Sequence, residues 1–153
     1  MKNAGFSLLE LVITLLILAI LSVSLLWEDT DGPLGVMPAL NLLAGDIRYI
    51  QHYAMMRGQN TRINFASDHY WYSNQNNSAV IAHPTWQLSP IPLDSGATLS
   101  SSVPFIIFDN LGIPYINIAP WTALTLNATL TITQSGANRN LIIRPETGQV
   151  WIP

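Results

Sequence analysis

An apolar run at the N-terminus, MKNAGFSLLELVITLLILAILSVSLLW, constrains this chain more than any other stretch, because it needs lipid or other protein to cover it. Between residues 6 and 27 the only ionisable side chain is Glu10, and Ser7, Thr14, Ser22 and Ser24 are the other polar members. At roughly 1.5 Å rise per residue this segment makes a helix on the order of 33 Å long, enough to cross a hydrocarbon core of about 30 Å. A transmembrane helix over residues 6–27 is therefore predicted, with one carboxylate to account for.

An ionised carboxylate inside a bilayer costs several kcal/mol and normally faces a partner. Lys2 lies two helical turns from Glu10, not at the i,i+4 spacing of an intrahelical pair. Cutting the chain after Gly5 would leave a new amine on Phe6, one turn before Glu10; the amine of another subunit would serve equally well. An ordinary secretory signal peptide, with Lys2 as its n-region and Ser22-Val23-Ser24 as its cleavage site, is the competing reading. Against it, Glu10 interrupts the apolar region, and Leu25, Leu26 and Trp27 continue that region past the supposed cut. A plain single-span anchor leaves Gly5-Phe6 unexplained.

GFSLLE followed by an apolar run resembles the processing site of type IV pilins and of the pseudopilins of type II secretion. The resemblance implies that a prepilin peptidase cuts between Gly5, the last leader residue, and Phe6, which is then N-methylated. It implies also that Glu10, the fifth mature residue, pairs with the Phe6 amine of a neighbouring subunit during assembly. Ser7 stands where the family commonly has threonine.

Of 153 residues, those beyond the anchor suffice for one small domain with its own core. Net charge is −3, and the one lysine, Lys2, lies in the segment that processing would remove. Only Arg48, Arg57, Arg62, Arg139 and Arg144 then carry side-chain positive charge, which argues against broad electrostatic binding of nucleic acid. The absence of cysteine removes disulfides and thiolate metal sites. Lys2 before the span and Glu28, Asp29 and Asp31 after it favour a cytoplasmic N-terminus.

Residues 28–38 read as a loop, with Asp31-Gly32-Pro33 and Gly35 breaking the helix and Pro38 suited to a helix start. Over residues 38–57, Leu40, Leu43, Ile47, Ile50 and Ala54 recur at spacings of three and four, the stripe of an amphipathic helix. Asp46, Arg48, Gln51 and Arg57 are assigned to its other faces, and Gly58 to its end. Strands are predicted at 62–66 and 70–73, as a hairpin around Ser67-Asp68, then at 80–82, 103–108, 115–118, 124–133, 141–144 and 149–152. Residues 85–102 read as a loop with one weak strand.

One membrane helix, one amphipathic helix and many strands give an α+β fold, the second helix packed on antiparallel β-sheet. IRYIQHYAMMRGQNTRINF, FDNLGIP and LIIRPETGQVWI resemble the helix, mid-domain turn and last hairpin of GspH/FimT-type minor pseudopilins and pilins, and among these most nearly the MshC-type minor pilin of MSHA pili. The resemblance implies a pilin-like globular domain over residues 39–153, after a leader at 1–5, the helix at 6–27 and the loop at 28–38.

No catalytic constellation is visible. His52, His69 and His83 fall on separate predicted elements, Asp68, Asp94, Asp109 and Glu146 are scattered, and no nucleophile motif is present. FDNLGIP is a turn in which Asp109 bonds its own backbone, and a calcium loop would need more oxygen ligands than Asp109 and Asn110. His69-Tyr70-Trp71-Tyr72, Trp86, Trp121 and Trp151 could line a sugar or DNA surface, but alternation turns half of such a strand inward. Arg139 and Arg144 are the candidate DNA contacts, faintly like the basic motif of FimT-like pilins, with Glu146 beside them.

The expectation is a minor pilin, not an enzyme, with no cofactor and no metal. By resemblance it is a single-pass inner-membrane protein with a periplasmic domain that later enters a pilus or pseudopilus. Prepilin peptidase, major and other minor pilins and an inner-membrane assembly platform are its implied partners. An H-type pseudopilin of type II secretion and a FimT-like DNA-uptake pilin are the alternatives.

Overall fold

The stripe of residues 40–54 is the buried face of a helix that organises everything after it. In a computed structural model, residues 8–26, 35–83, 89–94 and 96–153 are described, with side chains of the first helix described through residue 19. The chain divides into two compact units, Met1–Thr30 and Asp31–Pro153. The first contains helix α1 (Leu8–Leu26). Among the described residues no helix is long and apolar enough to cross a membrane.

In the second unit α2 runs Val36–Arg57, so it starts two residues before the predicted Pro38. Proline is tolerated there because first-turn N–H groups have no intrahelical acceptor. Gly58 closes the helix in a left-handed conformation, its N–H bonded to the Ala54 carbonyl. Leu40, Leu43, Ile47, Ile50 and Ala54 are all fully buried. At about 1.5–3 kcal/mol for each large aliphatic side chain, this face is a main source of the unit's stability.

Among the described residues eleven strands form two antiparallel sheets, and α2 packs on both. The seven-stranded sheet has the order β3 (Val80–Ile81), β2 (His69–Asn74), β1 (Thr61–Phe65), β6 (Phe105–Phe108), β7 (Pro114–Ile118), β8 (Trp121–Ala123), with β4 (Ile91–Pro92) also on β2. The four-stranded sheet has the order β11 (Val150–Trp151), β10 (Ala137–Ile143), β9 (Ala128–Gln134), β5 (Thr98–Ser101). Ile63, Tyr70, Tyr72, Ile106 and Phe108 from the larger sheet and Leu99, Leu130, Ile132, Leu141 and Ile143 from the smaller join the α2 stripe in one buried cluster.

The β1–β2 hairpin pairs Thr61 with Asn74 through Phe65 with Tyr70, around the predicted Ser67-Asp68 turn. Three expectations change. The run 124–133 is a strand only from Ala128: β9 takes up its second part, and residues 124–127 connect β9 to β8, which belongs to the other sheet. Strand β10 is longer than 141–144, because Ser135 and Gly136, both at positive φ, make a two-residue turn that pairs Ala137 with Gln134. Within the predicted loop, β5 is a second strand; only Leu99 of its four residues is buried, and pairing with β9 compensates for a serine-rich sequence of low strand propensity.

Candidate functional site

In α1, Glu10 is the one charged side chain among the described residues. Every described side chain of α1 is exposed within the chain, its large apolar ones from Leu8 at 80% down to Ile13 at 49%. The Thr14 hydroxyl donates to the Leu11 carbonyl at 2.8 Å, so it demands no outside partner. Among the described residues the helix thus presents an apolar surface with one carboxylate, Glu10. Lys2, Gly5, Phe6, Trp27, Glu28, Asp29, Asp31 and Trp86 lie outside the described residues.

The second unit holds a closed polar cluster that the sequence reading misplaced. Asp46 is buried, 6% exposed, rather than on an outer face of α2. It follows Leu43 by three and precedes Ile50 by four, so its place on the stripe was readable. One carboxylate oxygen accepts from the Tyr70 hydroxyl, and the other lies 3.0 Å from His83 Nε2. The Tyr72 ring stacks on His83 at 5.8 Å, and its buried hydroxyl makes no hydrogen bond of acceptable geometry. Burial first, then the Asp46 carboxylate, pushes both the Tyr70 and Tyr72 phenols far above the usual tyrosine value. These groups tie α2 to β2 and to the residues after β3. Sealed from solvent, the cluster can anchor but has no access to a substrate.

A second convergence involves Gln51, also missed. Its amide donates to the Gly112 carbonyl at 2.9 Å and to the Thr147 carbonyl at 2.8 Å. One helix side chain therefore joins the FDNLGIP turn to the PETG turn, which brings together the three stretches singled out in the sequence. Gly148 sits beneath it at φ 65°, where an added Cβ would come within 2.7 Å of Gln51 Nε2 and 2.8 Å of Phe108 Cε1. No side chain fits without displacing that amide.

Asp109 behaves as a turn residue: Oδ1 accepts from the backbone N–H groups of Leu111 at 2.9 Å and Ile113 at 2.8 Å. Arg139 is exposed on β10 and Arg144 exposed beyond its end, about 17 Å further along the strand direction and on the opposite face of the alternation. The fold does not gather them into one basic patch. His52 is exposed and His69 Nδ1 lies 2.7 Å from Asp68. Among the described residues no three His, Asp or Glu side chains converge as metal ligands.

A family model described as type II transport protein GspH matches residues 39–147, and one described as prokaryotic N-terminal methylation motif matches residues 1–26. Among solved structures, type IV minor pilin FimU of Pseudomonas aeruginosa is 17% identical with TM-score 0.54, covering 76% of this chain and 91% of that one. The minor pseudopilin EpsH of the type 2 secretion system of Vibrio cholerae is 12% identical with TM-score 0.54, covering 76% of this chain and 94% of that one. A comparison with curated protein sequences returns no significant match. At such identities the likeness is one of fold: a helix packed on antiparallel sheet, as in the pilin-like domains.

Proposed function

The chain belongs to the GspH family and carries the prokaryotic N-terminal methylation motif, and from that premise we propose that it is a minor pilin of an MSHA-type pilus, processed between Gly5 and Phe6. Such subunits are minor pilins of type IV pili or minor pseudopilins of secretion systems, as the likeness to FimU and EpsH illustrates. One observation carries the assembly reading: α1 leaves its whole described apolar surface uncovered, with Glu10 as the sole charge. Lipid covers that surface before assembly, and neighbouring helices cover it afterwards. Glu10 sets the register by pairing with the Phe6 amine of the next subunit, a pairing worth most in the low dielectric of a helix bundle. Residues 6–27 anchor the precursor in the inner membrane, N-terminus in the cytoplasm and domain in the periplasm.

The partners are then prepilin peptidase, the major and other minor pilins and an inner-membrane assembly platform. The subunit acts by assembling and catalyses nothing; the sealed Asp46 cluster and the family's structural subunits support that. The MSHA assignment rests on the resemblance of the α2, FDNLGIP and PETGQV stretches. Likeness to EpsH supports the alternative of an H-type pseudopilin, whereas the separation of Arg139 from Arg144 weighs against a DNA-uptake pilin. Glu10→Ala tests the mechanism: membrane insertion is expected to persist while recovery of the subunit in sheared filaments falls about tenfold or more, as loss of a desolvated charge pair would give. Normal incorporation of that variant would remove the pairing role.

A further inference from the structure

Four elements of the second unit converge on an open cavity of ≈ 310 Å³, at the lower end of the size that holds a small ligand. Asn60, between α2 and β1, Asp109 and Asn110 in the β6–β7 turn, Tyr115 on β7 and Trp121 on β8 line it. Trp121 is 47% exposed, a large aromatic surface left in water. Its indole meets the Tyr115 ring edge-on, centroids 5.0 Å apart at 82°, so the platform is buttressed rather than loose. The polar wall is equally set: Asp109 is locked by the Leu111 and Ile113 N–H groups through Oδ1 only, and the Asn60 amide is held by Gln75 Oε1 at 2.8 Å. Asp109 Oδ2, the Asn60 carbonyl and the Asn110 amide remain to answer a ligand, and none of them has a hydrogen-bond partner among the described residues.

We propose that this cavity binds a neutral saccharide. A sugar ring offers an apolar C–H face to the indole and hydroxyls that both donate and accept, matching acceptors on Asp109 and Asn60 and the donor amide of Asn110. The wall holds one carboxylate and no cation, so phosphates, nucleic acids and acidic sugars are repelled. An ammonium ligand could satisfy the oxygens but only donates, leaving the Asn110 N–H groups unanswered.

Saturation-transfer NMR on the full chain in lipid nanodiscs tests this, with D-galactose, D-glucose and N-acetyl-D-glucosamine as separate probes. Transfer from at least one sugar is expected, with affinity falling about tenfold in Trp121→Ala and in Asn110→Ala. Trp151→Ala, which removes an exposed tryptophan on β11, is expected to change nothing. Unchanged circular dichroism keeps a lost fold from passing as a lost site, and Asn110→Ala decides the matter should Trp121→Ala unfold. Absence of transfer from all three sugars, transfer insensitive to both cavity substitutions, or displacement of the sugar by tetramethylammonium would overturn the proposal.

Discussion

Replacing Asp46 by alanine should be the most damaging single substitution in the globular unit that leaves its apolar core untouched. The Tyr70 hydroxyl and His83 Nε2 both rely on that carboxylate and are 1% and 5% exposed as residues, so water cannot replace it. Each stranded polar group costs about 1–3 kcal/mol, and two give about 3–5 kcal/mol once the small vacated volume is added. For a domain of this size each kcal/mol lowers Tm by about 3–5 °C, so a drop of about 10–20 °C is expected in thermal unfolding followed by near-UV circular dichroism. Tyr70→Phe removes one stranded donor, so Asp46→Ala and Tyr70→Phe together should cost about 1–3 kcal/mol less than the sum of the two alone. A Tm drop below about 3 °C in Asp46→Ala, or strict additivity in the double variant, would refute the reasoning.

Gly148→Ala should cost about 2–4 kcal/mol, from a left-handed backbone and a displaced Gln51 amide; Gly136→Ala, at φ 79° in open space, should cost only the backbone share of about 1–2 kcal/mol. Urea unfolding midpoints compare the two, and equal costs would deny Gln51 its role. Stability should also fall at high pH. Tyr70 and Tyr72 hold their protons in the folded chain well beyond the ordinary value of about 10, whereas the unfolded chain releases them there. Stability is therefore full below pH of about 10 and declines above it, by up to about 1.4 kcal/mol per pH unit for each tyrosine. Denaturation curves between pH 9 and 12 should show a shallower decline in Tyr72→Phe, and an unchanged slope would contradict the burial argument.

The apolar stripe on α2 and the first hairpin were legible because each follows from a single period, 3.6 or 2, that burial on one side enforces. The division into two sheets was not. Alternation reports which side chains face inward, not where a strand starts or which sheet it joins, so LTLNATLTIT reads as one strand although β9 begins only at Ala128. Asp46 reads as an outer-face residue by its type but not by its position; a carboxylate between Leu43 and Ile47 sits on the buried face whatever its charge, and needs buried donors such as Tyr70 and His83. Gln51 illustrates a different limit. Its partners are carbonyls of residues 112 and 147, and no local pattern announces a backbone acceptor so distant in sequence. The cavity at Trp121 likewise depends on strand β8, which falls between the predicted strands 115–118 and 124–133.

In the proposed function the N-terminal helix is first an anchor, then an assembly surface whose single carboxylate awaits the amine of a processed neighbour. Mass spectrometry of the N-terminal peptide from the membrane-extracted chain tests it most directly. The peptide is expected to begin at Phe6 and to carry one methyl group on its amine. A peptide beginning at Met1, or one beginning at Leu25 as a signal peptide would leave, would contradict it.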